Sequence, residues 1–216
     1  MQGLNQDKRR RGFFKELRAT DIVLTAGLAV IIGLAFDFWS IVVYPMGTTL
    51  LGPVGVSFLY GVWFLGGLIP AYIIRKPGVA FLGEFIASHV ELLTGSPYGP
   101  LLTYYGAAQG MACELIFALT GYRKWNLKTM LLAGAAPALP AIAMDYYLYQ
   151  YSSLALPLQL ILWLGYFGSG AVLGGAIGKY AADAVARTGV LDMFPLGKEF
   201  RQRKREAIQM EVKREE

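Results

Sequence analysis

The chain has few of the residues on which catalysis and metal binding usually draw: one cysteine, Cys113, and one histidine, His89. A lone cysteine excludes an internal disulfide framework, and one histidine with one cysteine cannot assemble a zinc site from the usual nitrogen and sulfur ligands. Charge is scarce as well, at 16% of residues, against about a quarter in an ordinary soluble domain. No Lys or Arg falls in the middle of any of the long apolar runs. Outside the basic ends there is no low-complexity stretch, and no long-period repeat. Nucleotide chemistry is missing too. "GGAIGKY" (174–180) places Leu173 where a phosphate-binding loop needs its first glycine, and Tyr180 where it needs Ser or Thr. Ser169 is preceded two residues earlier by Phe167, and His89 is the one base on offer, so no hydrolase constellation forms. The chain reads as a non-enzyme with no ATPase site of its own and no cofactor.

What the chain has instead is apolar length. Hydrophobic residues make up 55% of it and the mean hydropathy is +0.44. A hydrocarbon core of about 30 Å takes about 20 helical residues, and six segments qualify: 21–39, 56–74, 78–94, 101–121, 129–149 and 158–182. The expected fold class is therefore an all-α integral membrane protein with six transmembrane helices. The basic residues fix its orientation. Six of the 20 Lys and Arg lie between Lys8 and Arg18, two at Arg75 and Lys76, three at Arg123, Lys124 and Lys128, and nine from Lys179 onward. The alternate loops, around 40–55, 95–100 and 150–157, carry none. The positive-inside rule then puts both termini in the cytoplasm. The expected organisation is a basic tail (1–20), a membrane domain (21–182) and a second basic tail (183–216), in a multi-pass protein of the cell membrane. The basic stretch before the first apolar run resembles a signal peptide. That run is too long and lacks a small-x-small cleavage site, so it reads as a retained helix. The basic excess of +5 suits membrane orientation and anionic lipid better than nucleic acid.

Small residues recur every four positions in two helices: Thr25, Ala29 and Gly33 in the first, Gly170, Gly174 and Gly178 in the last. Such seams let helix backbones approach closely. They serve either internal packing or docking onto another membrane subunit, and the peripheral first helix is the better docking candidate. Within the spans lie Asp37, Glu84, Glu91, Glu114 and Asp145, with His89 and Gln109. A charged side chain at mid-bilayer costs about 2.5–3.5 kcal/mol on insertion scales, so these acids face a cavity or a partner. With no basic residue beside them, either some stay protonated through desolvation or a cation fills the gap, and a cationic ligand is the economical counterpart. Glu84 and Glu91, seven apart, share one helix face. Tyr60 and Trp63, a turn apart beside "LLGPVG", offer aromatic faces to a flat cation. His89 reads as a satisfied polar residue near the interface.

Three stretches carry a family resemblance: "YGVWFLGGLIPAYIIRKPGVAFLGEFIASHVELLTGSPYGP" (60–100), "QGMACELIFALTGYRKW" (109–125) and "TGVLDMFPLGKEF" (188–200). With them the chain resembles the substrate-binding S components of energy-coupling-factor (ECF) vitamin transporters, in the YkoE-type thiamine/hydroxymethylpyrimidine branch. The resemblance implies high-affinity capture of a vitamin from outside without chemistry. It also implies a transmembrane coupling protein and two cytoplasmic ATPases as partners. It places the ligand in the outward half, under the first outer loop, and assigns ligand contacts to Tyr60, Trp63, Glu84, Glu91, Gln109, Glu114 and Asp145. The Thr25/Ala29/Gly33 seam is the expected docking surface. Thiamine, with its permanently charged thiazolium and its aminopyrimidine, suits acids and aromatics of this kind. The alternatives are an S component for another small vitamin, a stand-alone proton-coupled transporter using Glu84, Glu91 or Glu114 as a relay, and a purely structural membrane subunit that takes no ligand.

Overall fold

The computed structural model describes residues 17–215; nearly all of the expected N-terminal tail lies outside them. Among the described residues every regular element is helical. Helix α1 (Ala19–Phe38) opens with Asp21 accepting a hydrogen bond from the Arg18 backbone N–H at 2.7 Å. It passes through one π-helical stretch (Trp39–Val43) straight into α2 (Tyr44–Gly55). Gly52, with φ of 72° and Pro53 behind it, breaks α2 and turns the chain. A 3₁₀ segment (Val56–Phe64) then leads into α3 (Leu65–Ile74). After a turn through Arg75 and Gly78, both at positive φ, come α4 (Val79–Leu93) and α5 (Leu101–Leu119). Next are α6 (Leu127–Ala135), started by Asn126 accepting from Thr129 N at 3.0 Å, and α7 (Ala138–Leu148). Helix α8 (Leu156–Ser169) continues through a glycine-rich π-helical stretch (Gly170–Ile177) into α9 (Gly178–Arg187), and α10 (Pro195–Glu215) closes the chain.

Three helical stretches are long and apolar enough to cross a membrane: Ala19–Ile74, Leu127–Leu148 and Leu156–Arg187. Helices α4 and α5 also fall where the sequence predicts them. Three expectations need correction. The stretch around 40–55, expected as a loop, is helix, because Pro45 suits the first turn of α2 and the apolar run carries on past it. The fifth predicted segment is two helices, interrupted where Ala136 and Pro137 separate α6 from α7. The C-terminal region expected as a tail begins as the last turns of α9 and then forms α10, whose Leu196 is fully buried.

Helix α4 is the centre of the first half of the bundle and touches α1, α3 and α5. Close approach needs small residues on both sides. A Cβ on Gly83 would fall 2.3 Å from the Gly66 carbonyl oxygen of α3. A Cβ on Gly33 would fall 2.6 Å from Ala87 O and 2.7 Å from Val90 Cβ. The Thr25/Ala29/Gly33 seam is thereby corrected as a docking surface. Thr25 and Ala29 are fully buried, and the chain's own α4 occupies the seam. Gly170, Gly174 and Gly178 are likewise buried inside the chain. In the second half, the 3₁₀ segment, α8, α6 and the Gly170–Ile177 stretch pack on one another.

Ion pairs tie the end of the bundle where α4 begins. Lys76 meets Asp21 at 2.5 Å, Arg75 meets Glu199 at 2.7 Å, and Asp183 takes Lys179 at 2.5 Å and Tyr72 OH at 3.0 Å. The prediction from α4's tight seat is direct. Gly33→Leu should destabilise the protein by about 1–3 kcal/mol, as overpacking does, measured by thermal unfolding in detergent. Because the displaced helix is α4, ligand binding should be lost along with stability.

Candidate functional site

At the far end of α4 from these ion pairs the helices enclose a cavity of about 630 Å³, within the 300–1,000 Å³ usual for small-molecule sites. Its floor and walls come from α1, α2, the 3₁₀ segment, α4, α5 and α7, with Tyr98, Tyr149 and Tyr151 from the segments between helices. Three carboxylates line it, those of Glu84, Glu91 and Asp145, and none of the lining residues is Lys, Arg or His.

Each acid is aimed differently. Glu84, 2% exposed, accepts from the Gly67 backbone N–H at 2.8 Å through Oε2, and Oε1 has no partner among the described residues. Glu91 takes Ser40 Oγ at 2.5 Å and Ser96 Oγ at 3.1 Å on Oε1, which leaves Oε2 buried without a partner. Ser40 sits in the π-helical stretch after α1, so that local widening of the helix places a hydroxyl against Glu91. Asp145 differs from both. Its two oxygens are taken by Tyr105 OH and Tyr166 OH, so this carboxylate joins α5, α7 and α8 as well as lining the cavity. Glu84 and Glu91 are two helical turns apart, about 10 Å along α4, so they mark two levels of one wall.

Aromatic rings fill the space beside Glu91. Tyr44 meets Trp63 edge-on at 4.8 Å, Tyr60 and Trp63 are 5.0 Å apart, and Tyr60 stacks on Tyr166 at 4.2 Å. Tyr98 closes on Trp63 at 6.0 Å from the segment that also supplies Ser96. The Trp63 indole Nε1 is buried without a partner. The side-chain amide of Gln109, on a residue 4% exposed, also has none among the described residues. An unpaired buried donor costs about 1–3 kcal/mol, which makes the Trp63 N–H beside Glu91 the least satisfied polar group of this wall. Burial pushes the Tyr151 phenol up to about 12 and raises that of Tyr98 as well, so both line the cavity as neutral hydroxyls even in alkaline buffer.

Six of the seven residues expected at the ligand meet here: Tyr60, Trp63, Glu84, Glu91, Gln109 and Asp145. The seventh, Glu114, does not reach the cavity. It lies at the other end of α4, where Oε1 accepts from Gly78 N (2.7 Å) and Tyr122 OH (2.6 Å) and Oε2 from Ala80 N (2.9 Å) and Phe81 N (3.2 Å). A carboxylate on the free N–H groups of a helix start satisfies donors that the helix itself cannot. Glu114 is thus the cap of α4. His89 also lies off the cavity, with Nδ1 2.7 Å from Phe85 O and Nε2 3.3 Å from Thr103 Oγ1. Sequence reasoning missed Tyr44, Ser40, Ser96 and Tyr105 as site builders. Helical spacing within one segment carries no sign of contacts between segments 40–51 residues apart, such as Ser40–Glu91 and Tyr105–Asp145.

Comparison with known proteins agrees with this architecture. Residues 20–140 match a family model described as the permease component of an ABC-type cobalt transport system. Across 196 residues the chain is 32% identical to a Bacillus subtilis (strain 168) protein bearing the name HMP/thiamine permease protein YkoE, covering 89% of this chain and 96% of that one. A solved crystal structure of an S component of an ECF transporter superposes with a TM-score of 0.86 at 30% identity, covering 90% of this chain and 98% of that one.

Glu114, which caps the start of α4 from α5, and Glu91, near the other end of α4 itself, should separate by experiment. Glu114→Ala, which strands three backbone donors and a tyrosine hydroxyl, should lower stability by about 1–3 kcal/mol. Glu91→Gln keeps a carbonyl oxygen for Ser40 and Ser96 to donate to, so it should cost less than Glu114→Ala, about 1 kcal/mol or below. Calorimetry of the two variants checks the contrast.

Proposed function

We propose a function from one premise, that the chain belongs to the family of ECF-transporter S components of YkoE type: it captures thiamine, or its hydroxymethylpyrimidine precursor, from outside the cell. A transmembrane coupling protein and two cytoplasmic ATPases supply the energy for uptake, since this chain carries no nucleotide motif. The helices cross the cell membrane six times with both ends in the cytoplasm. What supports this orientation is that the stretches bounding the cavity, 40–55, 95–100 and 150–157, contain no Lys or Arg, whereas the opposite end is basic.

The observation that carries the ligand assignment is the charge pattern of the cavity. Three carboxylates face aromatic rings with no cation among them. A flat organic cation matches both: its charge answers the acids, and its ring lies against Trp63 and Tyr60, an attraction of about 0.5–2 kcal/mol for a cation on an aromatic face. The free oxygen of Glu91 and the Trp63 N–H lie within one aromatic pocket. Glu84 and Gln109 offer an acceptor and an amide to an aminopyrimidine. Among the described residues no three His, Cys, Asp or Glu side chains gather as a metal ion needs.

The test is calorimetric titration of the purified chain with thiamine and with hydroxymethylpyrimidine. The expected result is tight binding of at least one of them. Glu84→Gln and Glu91→Gln should each weaken it by about 10- to 100-fold, the range for a hydrogen bond to a charged group. Absence of binding to either compound, or uptake by the chain alone driven by a proton gradient, would overturn the reading.

A further inference from the structure

The segment joining α5 to α6 is fixed on its inner side and basic on its outer side. Trp125 stacks on Phe117 at 4.7 Å, and its Nε1 donates to Tyr122 O at 3.0 Å. Tyr122 in turn donates to Glu114, and Gly121 and Tyr122 hold left-handed φ values of 60° and 55°. Asn126 closes the segment by capping α6. Held in this way, the backbone presents Arg123 and Lys124 outward, with Lys128 on the first turn of α6.

All three cations are exposed, and none makes an ion pair among the described residues. The acids at this end of the bundle are already engaged. Asp21 is taken by Lys76, Asp183 by Lys179, and Glu199 by Arg75 and Arg203. Among the described residues no acid answers this positive charge. Directly beside it lie bare aliphatic side chains. Leu115 and Leu119 on α5 are 55% and 75% exposed, and Leu132, one turn on from Lys128, is 62% exposed.

We propose that this corner binds an anionic phospholipid, its phosphate held by Arg123, Lys124 and Lys128 and its acyl chains lying along Leu115, Leu119 and Leu132. The inference rests on the six-span reading above, which sets a short linker between two crossing helices at headgroup depth. Charge complementarity selects the occupant: a cluster of cations at the cytoplasmic edge of apolar helices matches an anionic headgroup. The fixed backbone adds to affinity, because little freedom is lost on binding.

Native mass spectrometry of the full chain in neutral detergent tests this. It should retain phosphatidylglycerol in preference to phosphatidylcholine of identical chains. The triple variant Arg123→Gln, Lys124→Gln, Lys128→Gln should lower that retention by about a hundredfold, from roughly fivefold per cation. Thiamine binding should be unchanged in the same variant. Raising salt to about 1 M, where the Debye length is about 3 Å, should release the lipid from the parent chain. Equal retention of the two lipids, a preference that survives the triple substitution, or displacement of the lipid by equimolar inorganic phosphate would each overturn the site. So would shielding of Lys124 from amine acetylation by the coupling protein but not by phosphatidylglycerol nanodiscs. A chain that ignores thiamine yet keeps the lipid preference would sink the proposed substrate and support the lipid site.

Discussion

Acidic side chains without a basic counterpart in a largely apolar cavity are the constraint on which the rest of the structure turns. Burying a carboxylate without a counterion is costly, and that cost grows when several share one low-dielectric space. Here Glu84, Glu91 and Asp145 line one cavity that contains no basic side chain. Asp145 is quietened by two tyrosine hydroxyls. The other two keep an oxygen free of protein partners. Groups that the fold itself leaves underused in this way are what supports the proposed cationic guest.

Much of the remaining structure sets where α4 stands, because that helix carries both free carboxylates. Glycine contacts bring α1 and α3 within backbone reach of it, and Glu114 caps its start from α5. The Lys76–Asp21 pair locks the turn before it to the start of α1. At its other end Ser40 and Ser96 orient Glu91 from two different segments. Small residues and polar ties thus act together, as they must where lipid gives helices no hydrophobic reason to associate. The same helix divides the molecule by charge. Cations gather at its start, and acids and aromatic rings at its end.

The sequence was legible where the physics is local. Apolar length located the helices, and the acids stood out because hydrocarbon makes them expensive. Tyr60 and Trp63, a turn apart, could be paired from spacing alone. It was less legible where one residue type serves two purposes. Glu114 resembles Glu84 in every local respect, yet a neighbouring helix start claims its carboxylate. A small-residue seam such as Thr25/Ala29/Gly33 signals close approach without naming the partner, which proves to be α4. Helix α2 was hidden because Pro45, Pro53 and three glycines suggest a loop, although Gly52 is the glycine that breaks the helix. The hydroxyls that aim the acids come from far along the chain, where periodicity carries no information.

The central claim is that positive charge on the guest answers the acids, and shape alone does not separate this from simple hydrophobic capture. The most direct measurement compares thiamine with its neutral isostere, in which a thiophene ring replaces the thiazolium, by competition on the purified chain. This account predicts that the neutral ring binds at least about tenfold more weakly, the scale of one cation–aromatic contact, with the gap shrinking in Glu91→Gln. Equal affinity for the charged and uncharged rings would contradict it.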